Sequence, residues 1–82
     1  MKHERITFDP KIMVGKPVIK GTRVPVEQIL RELAGGMTIP EITDAHPRLT
    51  PDDVYAAVAY AADIIGNEDI YLSEPDNAVL SG

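Results

Sequence analysis

The sequence predicts a small, mainly α domain: three helices of the helix-turn-helix kind behind a short N-terminal β arm, followed by an extended acidic C-terminal tail. Three observations carry this expectation. The hydrophobic pattern changes from strand-like before Val24 to a 3.6-residue period from Pro25 onward. Helix-start signatures recur at Thr38 and Thr50. Only His46 to Leu49 separates the second helix from the third, a spacing that fits the tri-helical helix-turn-helix group. The chain then divides into residues 1–66, arm plus helices, and residues 67–82, a partner-binding tail.

In the arm, Ile6-Thr7-Phe8 alternates, and Pro17-Val18-Ile19 runs into the turn signal Gly21-Thr22, which predicts short strands or a hairpin. Pro17 lacks an amide donor, so these strands suit a sheet edge. Val26, Ile29, Leu30 and Leu33 fall at i, i+3, i+4 and i+7, one face of a first helix that opens at Pro25 and ends at Gly35-Gly36. Thr38-Ile39-Pro40-Glu41 is a capping box for a second helix. Pro47 keeps that helix short and leaves Ile39 and Ile42 as its apolar face. Thr50-Pro51-Asp52-Asp53 starts a third helix, expected to reach about Ile65 and to stop at Gly66-Asn67. Its expected inward face is Val54, Ala57, Val58, Ala61 and Ile65, with Ala56, Ala59 and Ala62 keeping the surrounding surface shallow.

Composition removes most function classes. Eighty-two residues make one small domain, far below the ~200 residues of the large barrel and dinucleotide folds. Without cysteine there is no disulfide, thiolate zinc site or thiol nucleophile, and a reducing cytoplasm is the expected location. No apolar run reaches signal-peptide or membrane-span length, so no membrane partner is expected. The formal net charge of -5 hides an asymmetry. Residues 1–48 hold all 8 Lys and Arg with six acids, whereas residues 49–82 hold seven acids and no base. Within residues 1–23, six bases face two acids. A basic head and an acidic tail fit two partners of opposite charge.

Two strings carry a resemblance. Gly15-Lys16-Pro17-Val18-Ile19-Lys20-Gly21-Thr22-Arg23-Val24-Pro25-Val26, then His46-Pro47-Arg48-Leu49-Thr50-Pro51-Asp52-Asp53-Val54 and the Ala-rich run to Asp63, resemble the bacterial family catalogued as domain of unknown function 433. The likeness covers roughly Ile6 to Ile65, and the core Gly-x-Pro-x-Ile-x-Gly-Thr-Arg is its specific part. It implies a homeodomain-like helix-turn-helix domain with an N-terminal β arm, often encoded beside a PIN-like ribonuclease and regarded as the antitoxin of that pair. It implies no catalytic residues and says nothing of residues 67–82.

The remaining motifs point away from catalysis. Gly15-Lys16 is no phosphate loop, because Pro17 follows and Lys11 to Val14 contain no glycine. Asp52 and Asp53 are adjacent on a helix and read as capping charges. His3 and His46 have no two-ligand spacing, and Ser73 and Ser81 have no base to activate them. The expectation is a non-enzyme with no cofactor and no metal. Arg23 can hold a phosphate or pair with Asp52 or Asp53, and the pairing is the favoured reading. Since the third helix starts with two acids and carries no base, nucleic-acid contact, operator DNA included, falls to Lys11, Lys16, Lys20 and Arg23 of the arm, with Arg31 and Arg48 at the margin. The tail contributes Ile70, Tyr71, Leu72, Glu74, Asp76, Val79 and Leu80 as partner-binding residues. The expected function is an antitoxin that neutralises a PIN-like ribonuclease and dimerises through the arm or the Ala-rich helix; the alternative is a homodimeric interaction adaptor without nucleic-acid binding.

Overall fold

The arm closes as an antiparallel pair in a computed structural model that describes residues 3–72, with the backbone alone for Met13 and residues 68–72. Strand β1 (Ile6–Phe8) sets Ile6 opposite Ile19, Thr7 opposite Val18 and Phe8 opposite Pro17 of β2 (Pro17–Ile19). Between them a 3-10 turn, Met13–Gly15, puts Val14 at φ 55° and Gly15 at φ 79°. A β-branched residue at positive φ is costly, and the side chain of Val14 gains nothing by burial, being 92% exposed. After β2, Gly21 takes φ 83° and the Thr22 hydroxyl donates to the Ile19 carbonyl while accepting from the Val24 amide. This tight turn leads straight into the first helix.

Helix α1 (Val26–Ala34) buries Val26 and Ile29 and half-buries Leu30 and Leu33, the face the period predicts. It ends in a Schellman arrangement: the Gly36 amide donates to the Leu33 carbonyl, the Met37 amide to the Glu32 carbonyl, and Gly36 sits at φ 101°. Helix α2 (Ile39–Ala45) begins with the complete Thr38/Glu41 capping box and buries Ile42. At the start of α3 (Pro51–Leu72), the Asp53 amide donates to Thr50 Oγ1 at 3.3 Å and the Thr50 amide to Asp53 Oδ2 at 3.0 Å. Ile19, Val26, Ile29, Ile42, Leu49, Val54 and Ala57 form the core where β2 and the three helices meet. The architecture is mainly helical, with three helices and one two-stranded antiparallel sheet at the N-terminal end. No helix among the described residues is long and apolar enough to cross a membrane.

Three expectations need correction. Helix α3 runs through Gly66 and Asn67 to Leu72 instead of stopping near Ile65. One Gly costs only about 1 kcal/mol in a helix, and neither residue takes up the left-handed conformation that would have ended it. Val58 and Ile65, assigned to the inward face, are 42% and 58% exposed. Val58 falls about 100° round the helix from the buried Ala57, on the side turned away from the core, and Ile65 lies in the second half of α3, which at ~1.5 Å per residue spans about 33 Å against about 14 and 11 Å for α1 and α2. Finally, Arg23 does not pair with Asp52 or Asp53; Arg5 does, because β1 lies against the first turn of α3 and brings its own arginine there.

Candidate functional site

Ion pairing sorts the cations into two groups. Arg5 Nη1 donates to Asp53 Oδ1 at 2.9 Å and its Nη2 lies 3.8 Å from Asp52 Oδ2, tying the arm to α3. Lys16 reaches Glu27 at 2.9 Å, tying it to α1, and Arg31 meets the same Glu27 at 3.4 Å. The Lys16 hydrogen bond and charge, with Arg31 beside them, hold the Glu27 carboxyl below the usual carboxylate range. By contrast, Lys11, Lys20, Arg23 and Arg48 have no carboxylate within ion-pair distance among the described residues.

Two of these four cations, Arg23 and Arg48, meet at one cleft. Arg23 and Arg48 line a cleft of about 560 Å³ together with Thr7, Asp9, Ile12, Gly21 and Thr22. Lys11 and Lys20 flank the lining residues Ile12 and Gly21 in the chain. Arg23 follows the Gly21-Thr22 turn, whose conformation is fixed by the Thr22 hydroxyl. Arg48 comes from the connection between α2 and α3 and donates to the Gly21 carbonyl at 3.4 Å, which holds the two loops together. The same pair of arginines lines a second hollow with Val24, Ala45, His46 and Pro47, so they form the ridge between the two. Asp9 is the one acid of the cleft; its Oδ1 accepts from the Lys11 amide at 2.9 Å.

Of the arm residues expected to meet nucleic acid, Arg23 lines this cleft, Lys11 and Lys20 do not line it, and Lys16 is directed to Glu27 instead. Arg48, placed at the margin by sequence reasoning, is central. Its signal lay in the His46-Pro47-Arg48 string, which returns to the Gly-Thr-Arg turn only through tertiary contact. His46 is more than a turn residue, because its Nε2 meets the Glu32 carboxylate at 3.0 Å with both side chains mostly covered. That hydrogen bond lowers the Glu32 pKa from its ordinary value. His3 pairs with Asp63 at 2.8 Å and packs edge-on against Tyr60. No group of acids and histidines among the described residues has the arrangement of a metal site.

A second surface lies on α3. Tyr55, Val58, Ala59, Ala62 and Ile65 are exposed and, at ~100° per residue, fall on a stripe about 120° wide that faces away from the core. The helix carries Asp52, Asp53, Asp63, Glu68 and Asp69 and no base. Among the expected partner-binding residues, Ile70, Tyr71 and Leu72 are in the last turns of α3, where the backbone alone is described, and Glu74, Asp76, Val79 and Leu80 lie outside the described residues.

The family model described as protein of unknown function (DUF433) matches residues 6–61. The chain belongs to this family. The matched span includes every residue lining the cleft and ends within α3. A DUF433 member from Anabaena variabilis, known from a crystal structure, has the same fold with a TM-score of 0.70 and 26% identity, over 85% of this chain and 69% of that one. The uncharacterized protein y4eO of Sinorhizobium fredii is 30% identical over 79 residues, which is 94% of this chain and 36% of y4eO. An uncharacterized protein of Archaeoglobus fulgidus is 64% identical over 28 residues, 34% of this chain and 78% of that protein. The present DUF433 chain thus spans about a third of the length of its Sinorhizobium relative.

Proposed function

We propose that this DUF433 protein is an antitoxin-like module that binds and neutralises a PIN-like ribonuclease through α3 and the tail, and contacts nucleic acid through the basic side of its arm. The observation that carries the reading is the outer stripe of α3. A helix apolar on both faces is ordinarily buried, and here only one face is covered. A nuclease must hold cations near its metal-binding carboxylates to draw in RNA, and a helix that carries Asp52, Asp63, Glu68 and Asp69 besides the buried Asp53, and no base, complements such a surface. Charge then steers the encounter, while Tyr55, Val58 and Ile65 supply the contact area. In this reading α2, the connection and α3 follow a homeodomain-like helix-turn-helix order, but the acidic start of α3 leaves the phosphates to the arm and its neighbouring loops.

The test is neutralisation of a PIN-like ribonuclease. Val58→Lys with Ile65→Lys should leave the thermal unfolding of the domain unchanged and abolish inhibition. Full inhibition by that double variant would move the inhibitory surface elsewhere. The homodimeric adaptor is the second reading. It draws support from the two-stranded sheet, in which β2 is bridged on its outer side by Val18 and Pro25 while the outer edge of β1 pairs with no other strand among the described residues. Light scattering that reports twice the chain mass, together with failure to inhibit the nuclease, would favour it.

A further inference from the structure

The cleft between the arm and the loops before α1 and α3 has features that a merely basic surface lacks. Its two guanidiniums come from positions 25 residues apart in sequence, and each sits in a restrained loop: Arg23 after the Thr22-bonded turn, and Arg48 hydrogen-bonded to Gly21. Arginine presents a planar fork of donors that matches phosphate oxygens two at a time. Ile12 and the side chains of Thr7 and Thr22 make part of the wall less polar, and about 560 Å³ lies within the ~300–1,000 Å³ usual for small-molecule sites. Asp9 stands in the same lining. A carboxylate there repels a bare phosphate and rewards a ligand that offers a hydrogen-bond donor a short distance from its phosphate.

A nucleotide has that chemistry, since its ribose hydroxyls and base amines lie beside the phosphate. We propose that the cleft binds a nucleotide unit, with Arg23 and Arg48 holding its phosphate and Asp9 accepting from a sugar hydroxyl or a base amine. The inference rests on the nucleic-acid part of the reading above and is independent of nuclease neutralisation. The unit is either a free nucleotide or one residue of a strand, and the two share this recognition.

Titration of the full chain at constant ionic strength, followed by NMR, tests it with inorganic phosphate, adenosine 5′-monophosphate and a short single-stranded oligoribonucleotide as probes. Adenosine monophosphate should bind more tightly than phosphate. Arg23→Gln and Arg48→Gln should each weaken its binding at least about tenfold, whereas Lys16→Gln, which loses the Glu27 pair and does not line the cleft, should not. Asp9→Asn should narrow the preference for the nucleotide over phosphate. A strand that binds no better per nucleotide than the monophosphate identifies the free nucleotide as the ligand, and tighter binding of the strand identifies nucleic acid; both outcomes support the site. The proposal is overturned if no probe binds at millimolar concentration, if Lys16→Gln weakens binding as much as the cleft variants, or if phosphate and nucleotide bind alike. Retention of operator duplex binding by the Arg23→Gln/Arg48→Gln double variant would remove the cleft and leave nucleic-acid contact through Lys11 and Lys20 standing.

Discussion

Replacing Asp53 by Ala removes two interactions of different reach, and their sizes can be worked separately. Asp53 is only 7% exposed, and each of its oxygens has its own donor: Oδ2 receives the Thr50 amide, and Oδ1 receives Arg5 Nη1 at 2.9 Å. The first bond is half of the capping box of α3, and losing a cap costs about 1 kcal/mol. The second joins residues 48 positions apart, but the Arg5 side chain is 50% exposed, so solvent screening holds this pair to about 0.5–1 kcal/mol. Asp53→Ala should therefore lose about 2 kcal/mol, a fall in Tm of roughly 10 °C for a domain of this size. Asp53→Asn keeps an acceptor for the Thr50 amide and loses the charge, so it should cost about half as much. Urea unfolding followed by circular dichroism gives both values, provided the slope with denaturant stays constant. Equal losses for Ala and Asn would show that the cap contributes nothing. A change of less than about 0.5 kcal/mol for Ala would refute both parts of the reasoning.

Two further outcomes follow from local geometry and titration. Gly36 holds φ 101° with open space around it, so Gly36→Ala should destabilise by about 1 kcal/mol through backbone strain alone, whereas Gly35, at φ -80° with its added Cβ 3.4 Å from the Arg31 carbonyl, should accept Ala without loss; thermal unfolding of the two variants distinguishes them. Glu32 has a folded-state pKa lowered by the His46 hydrogen bond, so its stabilising contribution is present above the unfolded-state value and is lost as pH falls through the folded one. Stability measured by urea unfolding from about pH 6 down to pH 3 should fall less steeply in Glu32→Gln than in the parent, and an unchanged acid limb would contradict the assigned pair.

What sequence reasoning captures in this protein is what short-range chemistry decides. The Thr38/Glu41 box, the Gly36 stop and the Thr50 cap are each set by residues within four positions of one another, and each is present. The inward face of α1 is equally legible, because Val26, Ile29, Leu30 and Leu33 leave its other side polar. Helix α3 offers no such contrast. With apolar residues around much of its circumference, its period identifies a helix without saying which side is covered, and nothing in it records that Val58 is turned away from the core or that α1 and α2 are too short to reach Ile65. The Gly66-Asn67 stop signal is weak because neither residue is required to leave the helical region.

The basic cleft shows the same limit in charge. Counting six bases against two acids in residues 1–23 treats every cation of the arm as available for a partner. Folding makes them unequal. Arg5 and Lys16 become the struts that fasten the arm to α3 and α1, and their charge is answered by Asp53 and Glu27. Among the charges left without a carboxylate is Arg23, which Arg48 joins at the cleft from a connection 25 residues further along the chain. A site made this way depends on the docking of the α2–α3 connection against the Gly21 turn, so a change that loosens that docking disables Arg48 without touching its side chain. The Gly-Thr-Arg turn and the His-Pro-Arg string therefore act as two halves of one surface, and variants in either half should show the same loss of anion affinity while the struts, Arg5 and Lys16, affect stability first.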